Sequence, residues 1–156
     1  MKKKIILILF FVLLLVGCNK EALKDLDGNK KDNFDVGETA VYKGVQYTVT
    51  DYMFDTEMDK LTDEEITVLE ITYTVKNTTD EEIGFNSFSL LYEDDKEISG
   101  YSIDGDYSKL GNTIKANKSY TLKDKFTVSK KDSKFKYKLV ISDEDSISMN
   151  VKLKNK

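Results

Sequence analysis

Histidine, arginine, proline and tryptophan are all missing from this chain, and cysteine occurs once. Each absence removes a class of chemistry. Without histidine there is no Ser-His-Asp triad, no imidazole metal ligand and no switch titrating near neutrality. Without arginine there is no planar fork for bidentate capture of carboxylate or phosphate. One cysteine allows no disulfide and no thiolate zinc site within a single chain. A glycine-rich phosphate loop is also lacking. Positive charge is in deficit: 24 lysines face 28 acids, for a formal charge of −4 over 156 residues. An acidic balance argues against a general nucleic-acid binder, whose phosphate contacts need a basic excess.

The first residues have a different character from the rest. Lys2, Lys3 and Lys4 lead into an unbroken apolar run over residues 5–16, followed by Gly17 and Cys18. A basic start, a short apolar run and a small residue at the cut describe an export signal over residues 1–17, helical while it lasts. The run falls short of the ~20 apolar residues of a comfortable membrane span. Leu15-Val16-Gly17-Cys18 resembles the bacterial lipobox, in which the cysteine thiol receives a diacylglycerol and becomes the new first residue. The resemblance implies lipidation at Cys18 and a protein held on the outer face of the cell membrane. One acyl chain anchors marginally and two hold stably, and a diacyl group supplies two. Loss of the leader removes three lysines, leaving 21 against 28 acids and a mature charge of −7.

Residues 19–35 are polar and charged, so residues 18–35 read as a lipidated cysteine on a flexible tether. Asp25-Leu26-Asp27-Gly28-Asn29 has the start of a calcium loop. Lys30 stands where such a loop needs glycine, and Val36 where it needs a bidentate glutamate. From Val36 onward the period is two. Tyr47 and Val49 alternate with threonines, and Leu69, Ile71, Tyr73 and Val75 alternate with Glu70, Thr72, Thr74 and Lys76. The same alternation runs through Phe88-Leu90-Tyr92, Tyr120-Leu122 with Phe126-Val128, Phe135-Tyr137-Leu139-Ile141 and Ile147-Met149-Val151-Leu153. Residues two apart share one face of a strand, so each segment has one apolar and one wet face. Seven or eight such strands, separated by turn-rich pieces, predict an all-β antiparallel sandwich over residues 36–156. About 139 mature residues allow one domain.

Val36-Gly37-Glu38-Thr39, Val45-Gln46-Tyr47-Thr48-Val49-Thr50-Asp51, the stretch from Leu69 to Val75-Lys76-Asn77-Thr78, Phe88-Ser89-Leu90, Phe126-Thr127-Val128 and Tyr137-Lys138-Leu139 together resemble the telokin-like family. These are small immunoglobulin-like domains of bacterial lipoproteins and exported proteins. The chain departs from the family at Lys115-Ala116-Asn117-Lys118, where Pro-Gly tends to stand, and at Ser129, where proline often follows Phe-x-Val. The resemblance implies an immunoglobulin-like sandwich and an extracytoplasmic location. The family has no agreed activity, so no functional residue transfers. The cysteine–tryptophan–cysteine pin of antibody domains is absent, leaving packed apolar residues to hold the sheets.

Three surfaces stand out. Residues 99–111 form a long segment rich in Tyr, Ser, Gly and Asp, a composition that binding loops use. Tyr101, Asp104, Asp106 and Tyr107 are its candidate partner-binding residues, against the simpler reading of a connection with a short strand. If Phe135, Tyr137, Leu139 and Ile141 face inward, then Lys134, Lys136 and Lys138 face out, and Lys152 and Lys154 do so on the next strand. That stripe suits anionic head groups or an anionic wall polymer; the competing account is protection of exposed edge strands. Acidic runs at Asp80-Glu81-Glu82, Asp104 with Asp106, and Asp143-Glu144-Asp145 fall at one end if every strand reverses. Turn carboxylates are usually just solvated and no ligand spacing selects a set, so no metal is assigned. Ser133 and Lys136 match a bare S-x-x-K spacing, which within a strand divides the side chains between faces.

No catalytic residue and no cofactor is assigned. The sequence predicts a non-catalytic binding module for a protein or cell-envelope component, joined to the membrane by a diacylglyceryl anchor, with no nucleic-acid partner. The alternatives are a structural spacer or self-association module and, less favoured, a small hydrolase.

Overall fold

A computed structural model describes residues 24–25, 33–85, 88–98, 100–105, 110–129, 131–142 and 147–153. Two sheets, antiparallel throughout except where β1 joins β2, carry the described chain. The larger contains β1 (Lys24–Asp25), β2 (Thr39–Tyr42), β3 (Val45–Met58) and β4 (Glu65–Asn77) in chain order. It then continues into β10 (Ser119–Val128) and β8 (Gly100–Gly105). The smaller runs β12 (Ile147–Leu153), β11 (Phe135–Ser142), β6 (Phe88–Glu93) and β7 (Lys96–Ile98). The two-residue strands β5 (Ile83–Gly84) and β9 (Thr113–Ile114) pair separately. The result is a β-sandwich. Eight of these strands have four residues or more, in line with the periodicity.

The alternating residues make the core, with β6 as the exception. Leu91 and Glu93 are its buried residues, while the expected apolar face, Phe88, Leu90 and Tyr92, points outward and Phe88 is 48% exposed. Leu69, Ile71, Tyr73 and Val75 of β4 are buried against Tyr137, Leu139, Met149 and Val151 of the opposite sheet. In β3 the alternation changes phase: Val45, Tyr47 and Val49 are buried, then Tyr52. The register with β4 shifts between Val49 and Asp51. A bulge adds one residue to one strand and turns every later side chain over. It brings Tyr52 and Phe54 inward and leaves Met53 outside.

β3 and β4 form a hairpin that outruns its neighbours. The last β10 residue, Val128, pairs with Thr67, while β3 and β4 continue pairing to Met58 and Glu65. The resulting two-stranded arm is rooted where Phe54 meets Phe135, with ring centres 5.4 Å apart. Its tip is ordered by Asp59, whose Oδ1 accepts from the backbone N–H groups of Leu61 (2.7 Å) and Thr62 (3.2 Å). The Asp59 N–H donates to the Glu64 carbonyl at 2.8 Å.

Asn77 closes β4 and is fully buried. Its Nδ2 donates to the carbonyls of Glu81 (2.7 Å) and Ile114 (3.0 Å), while its Oδ1 accepts from Thr79 N (2.9 Å) and Thr79 Oγ1 (2.8 Å). Every donor and acceptor of the amide is thereby used, and the turn after β4 is fastened to β9. Asn117 takes the left-handed conformation at φ 56 in the turn before β10, a backbone that asparagine tolerates without glycine.

Three further expectations are corrected. Phe34, assigned to the tether because its neighbours are polar, is 2% exposed and belongs to the core. It bridges β12, its N–H donating to the Asn150 carbonyl (2.8 Å) and its carbonyl accepting from Lys152 N–H (3.4 Å). Lys24 and Asp25, also placed in the tether, pair in parallel with Ala40 and Val41. Tyr101 and Asp104, candidates for a binding loop, lie instead on strand β8, as the simpler reading of a short strand had it, in register with Lys125 and Lys123 of β10. Backbone pairing at a free sheet edge outweighed a composition typical of loops.

Candidate functional site

The outer face of the four-stranded sheet is where the structure gathers unusual chemistry. β11 pairs with β12 on one side and β6 on the other, setting Lys136 directly opposite both Lys152 and Tyr92. Tyr92 in turn faces Glu97 of β7. One row across four strands therefore reads Lys152, Lys136, Tyr92, Glu97. Lys136 Nζ sits 5.1 Å from the centre of the Tyr92 ring, a cation–π contact. The Tyr92 hydroxyl donates to Glu97 Oε2 at 3.4 Å. Burial raises the Tyr92 pKa, helped by the Glu97 charge and hydrogen bond. The next row is Asn150, Lys138 and Leu90; beyond it lie Ser148, Val140 and Phe88.

At the end of the first row lies a depression of about 400 Å³, with Tyr92, Phe135 and Leu153 in its wall and Lys134, Lys136 and Lys152 around it. Asp95 and Ser133 complete the lining. The loop carrying Lys134 is tied down on both flanks. Asp94 N–H donates to the Lys134 carbonyl and Asp94 Oδ1 accepts from Lys134 N–H, both at 3.0 Å. The buried Glu93 carboxylate accepts Ser129 N–H through both oxygens at 3.1 Å. A rigid backbone thus presents flexible cations beside an apolar wall.

Edge protection does not account for this stripe. β12 is an edge strand, but β11 is flanked on both sides, so Lys136 and Lys138 guard no edge. At Asn150 and Lys152 the β12 edge is already capped by Phe34. Like charges set directly opposite in a sheet are destabilising, and the Lys136–Lys152 pair carries that cost.

The other sequence candidates fare differently. Lys154, Asp106, Tyr107 and residues 143–145 lie outside the described residues. Tyr101 and Asp104 belong to the other sheet and are not brought to the lysine face. Asp80 Oδ1 accepts from Asn117 Nδ2 at 3.0 Å, and among the described residues no three acidic side chains are grouped to hold a metal ion. Ser133 precedes β11, so strand parity does not separate it from Lys136, and both line the depression. Sequence reasoning missed Tyr92 and Glu97. Their signal was the two-residue turn at Asp94 and Asp95, which closes a hairpin and places them opposite each other.

Residues 34–152 match the profile of DUF4352, a domain of unknown function. The chain belongs to the DUF4352 family. Its sandwich is similar to that of ycdA of Bacillus subtilis, a candidate lipoprotein, at 25% identity and a TM-score of 0.57 over 75% of this chain. The match spans 38% of the length of the Bacillus chain. An uncharacterised β-sandwich protein of Clostridium difficile shares the fold at 12% identity and a TM-score of 0.54, covering 81% of this chain and 97% of its own. A functionally unknown protein of Listeria monocytogenes does so at 12% identity and a TM-score of 0.52, covering 76% and 81%. No curated protein sequence matches the chain.

Proposed function

We propose that this DUF4352 chain is a lipid-anchored, extracytoplasmic binding module without catalytic activity. Its contact surface is the lysine face of the four-stranded sheet, and its partner presents negative charge. The observation that carries the reading is the Lys152–Lys136–Tyr92 row beside an apolar depression. Cations on a rigid strand next to apolar wall form a surface that repels itself until an anionic partner neutralises it. The lipobox resemblance and the likeness to a candidate lipoprotein support attachment through Cys18. The telokin-like resemblance agrees with an extracytoplasmic location.

Polyglutamate and phosphatidylglycerol vesicles are suitable probes. Full-length protein should bind at least one of them with salt-sensitive affinity, and Lys136→Glu with Lys152→Glu should abolish binding without lowering Tm. Salt-insensitive binding, or none, removes the lysine face. Cys18→Ser should release the protein from the membrane fraction with a loss of mass equal to the lipid; unchanged retention and mass would disprove the anchor.

A further inference from the structure

We infer that the partner of the lysine face is the β3–β4 arm of a second copy of this chain. This inference rests on the proposed binding role of that face. The arm is the most exposed apolar feature among the described residues: Leu61 at its tip is 95% exposed and Met58 is 57% exposed. Such exposure is not the slack of a loose loop, because Asp59 and Glu64 hold the tip in one backbone arrangement. An apolar residue presented on a rigid tip is a knob, and interfaces concentrate their energy in anchors of that kind seated in pockets.

Around the knob the arm is acidic. Asp55, Glu57, Asp59, Asp63, Glu64 and Glu65 are opposed by Lys60 within the same span, and Glu57 is partly neutralised by an ion pair with Lys125. An acid-ringed apolar knob is ill suited to an anionic membrane. Its complement is an apolar hollow with cations around it, and the same molecule carries one. The depression beside Tyr92, Phe135 and Leu153 is bordered by Lys134, Lys136 and Lys152. With three lysines against the one acid of its lining, Asp95, the hollow is opposite in sign to the arm and matches it in polarity.

Placement favours two copies over one. The arm prolongs the six-stranded sheet, whereas the depression lies at the end of the other sheet, between core residues Phe135 and Leu153 and the outward Tyr92, Lys136 and Lys152, and no residue of the arm lines it. A copy therefore leaves its own hollow empty and its own Leu61 in water. Arm and depression share the end of the sandwich where Phe54 meets Phe135. Two copies facing each other across a two-fold axis each give one arm and receive one, so the contact closes as a pair. Charge attraction sets the register, and insertion of Leu61 and Met58 supplies apolar burial.

Two differently tagged full-length copies expressed in one cell test this. One carries Leu61→Cys, an exposed position where folding is not at stake, and the other Lys152→Cys. A mixed disulfide should form when both are present and not when either is paired with the parent chain, which controls for Cys18. Glu64→Lys with Glu65→Lys in the arm copy should reduce trapping by about tenfold, as should Lys136→Glu in the receiving copy. Combining the two reversals should restore it to within about twofold. Absence of the mixed disulfide while the lysine face still captures polyglutamate overturns the inference and leaves the binding role standing. Absence of both removes both. Trapping that persists unchanged through the single reversals also overturns it, since the contact would then not be the charge-matched one.

Discussion

Aspartate 124 occupies a core position of β10, between buried Leu122 and Phe126, and is itself 1% exposed. Its Oδ2 accepts the Tyr137 hydroxyl at 2.7 Å across the sandwich. Tyr137 is ringed by Tyr73 and Phe126, each with ring centre 6.3 Å away. The hydroxyl–carboxylate bond thus lies within an aromatic cluster and links the two sheets, a task that antibody domains give to a disulfide. Tyr137→Phe keeps the ring but removes a hydrogen bond to a buried carboxylate, so stability should drop by about 1–3 kcal/mol in urea denaturation. Burial pushes the Tyr137 pKa well above its ordinary value, with the Asp124 charge adding to the effect. Burial likewise raises Tyr47, with Tyr42 contributing. An unfolded tyrosine loses its proton near pH 10, while these two keep theirs in the fold. Above that point the unfolded state binds fewer protons, so stability falls as pH rises. Stability is therefore unaffected by these groups below about pH 10. Between there and the folded pKa values it declines by about 1.4 kcal/mol per pH unit for each tyrosine. Equilibrium denaturation from pH 9 upward should show a shallower slope in Tyr137→Phe than in the parent chain.

Single strands differ in how firmly they are held. The middle of β4 is paired on both sides, with β3 and β10, and contributes Leu69, Ile71 and Tyr73 to the core. Its first residues, Glu65 and Ile66, pair with β3 alone, and an isolated two-stranded ribbon is marginal in water. Amide exchange should separate the two. Ile71 and Tyr73 should exchange only with global unfolding, while Ile66 and its partner Glu57 should exchange through local opening at least tenfold faster. Equal protection would mean that the arm is braced by something beyond its own pairing. Where alternation was unbroken, as from Phe135 to Leu139 of β11 and from Met149 to Leu153 of β12, the inward and outward faces were legible beforehand, whereas the face expected to be inward in β6 is the outward one. β3 was legible only in part, because one bulge at Thr50 reverses the phase for Tyr52 and Phe54. The arm was not legible at all: its residues alternate like any strand, and nothing local says that β10 stops short.

On the scale of the whole molecule the boundary of the domain matters most. Phe34 spans the join between segment and sandwich, packing into the core while its backbone caps β12. Phe34→Ala should cost about 3–5 kcal/mol, the range for emptying a buried phenylalanine site. A chain beginning at Val36 should lose at least as much, read as a lower Tm. A cost within about 0.5 kcal/mol would return this residue to a dispensable linker. The lysine face is also a property of the whole. Lys136 and Lys152 are sixteen positions apart in the chain, and only the β11–β12 register makes them neighbours.

Strand identity, the all-β class and the outward phase of the lysines followed from side chains alone, because a pleated backbone reports its two faces through alternation. Missing residue types likewise limited the chemistry before any coordinate was known. Partnership between strands followed from nothing local. Which strand lies inside a sheet, which edge is capped, where a hairpin overruns its neighbour and which cations surround a hollow all depend on contacts between distant segments. Those contacts form where the summed burial and pairing are greatest, a quantity that no short stretch of sequence contains.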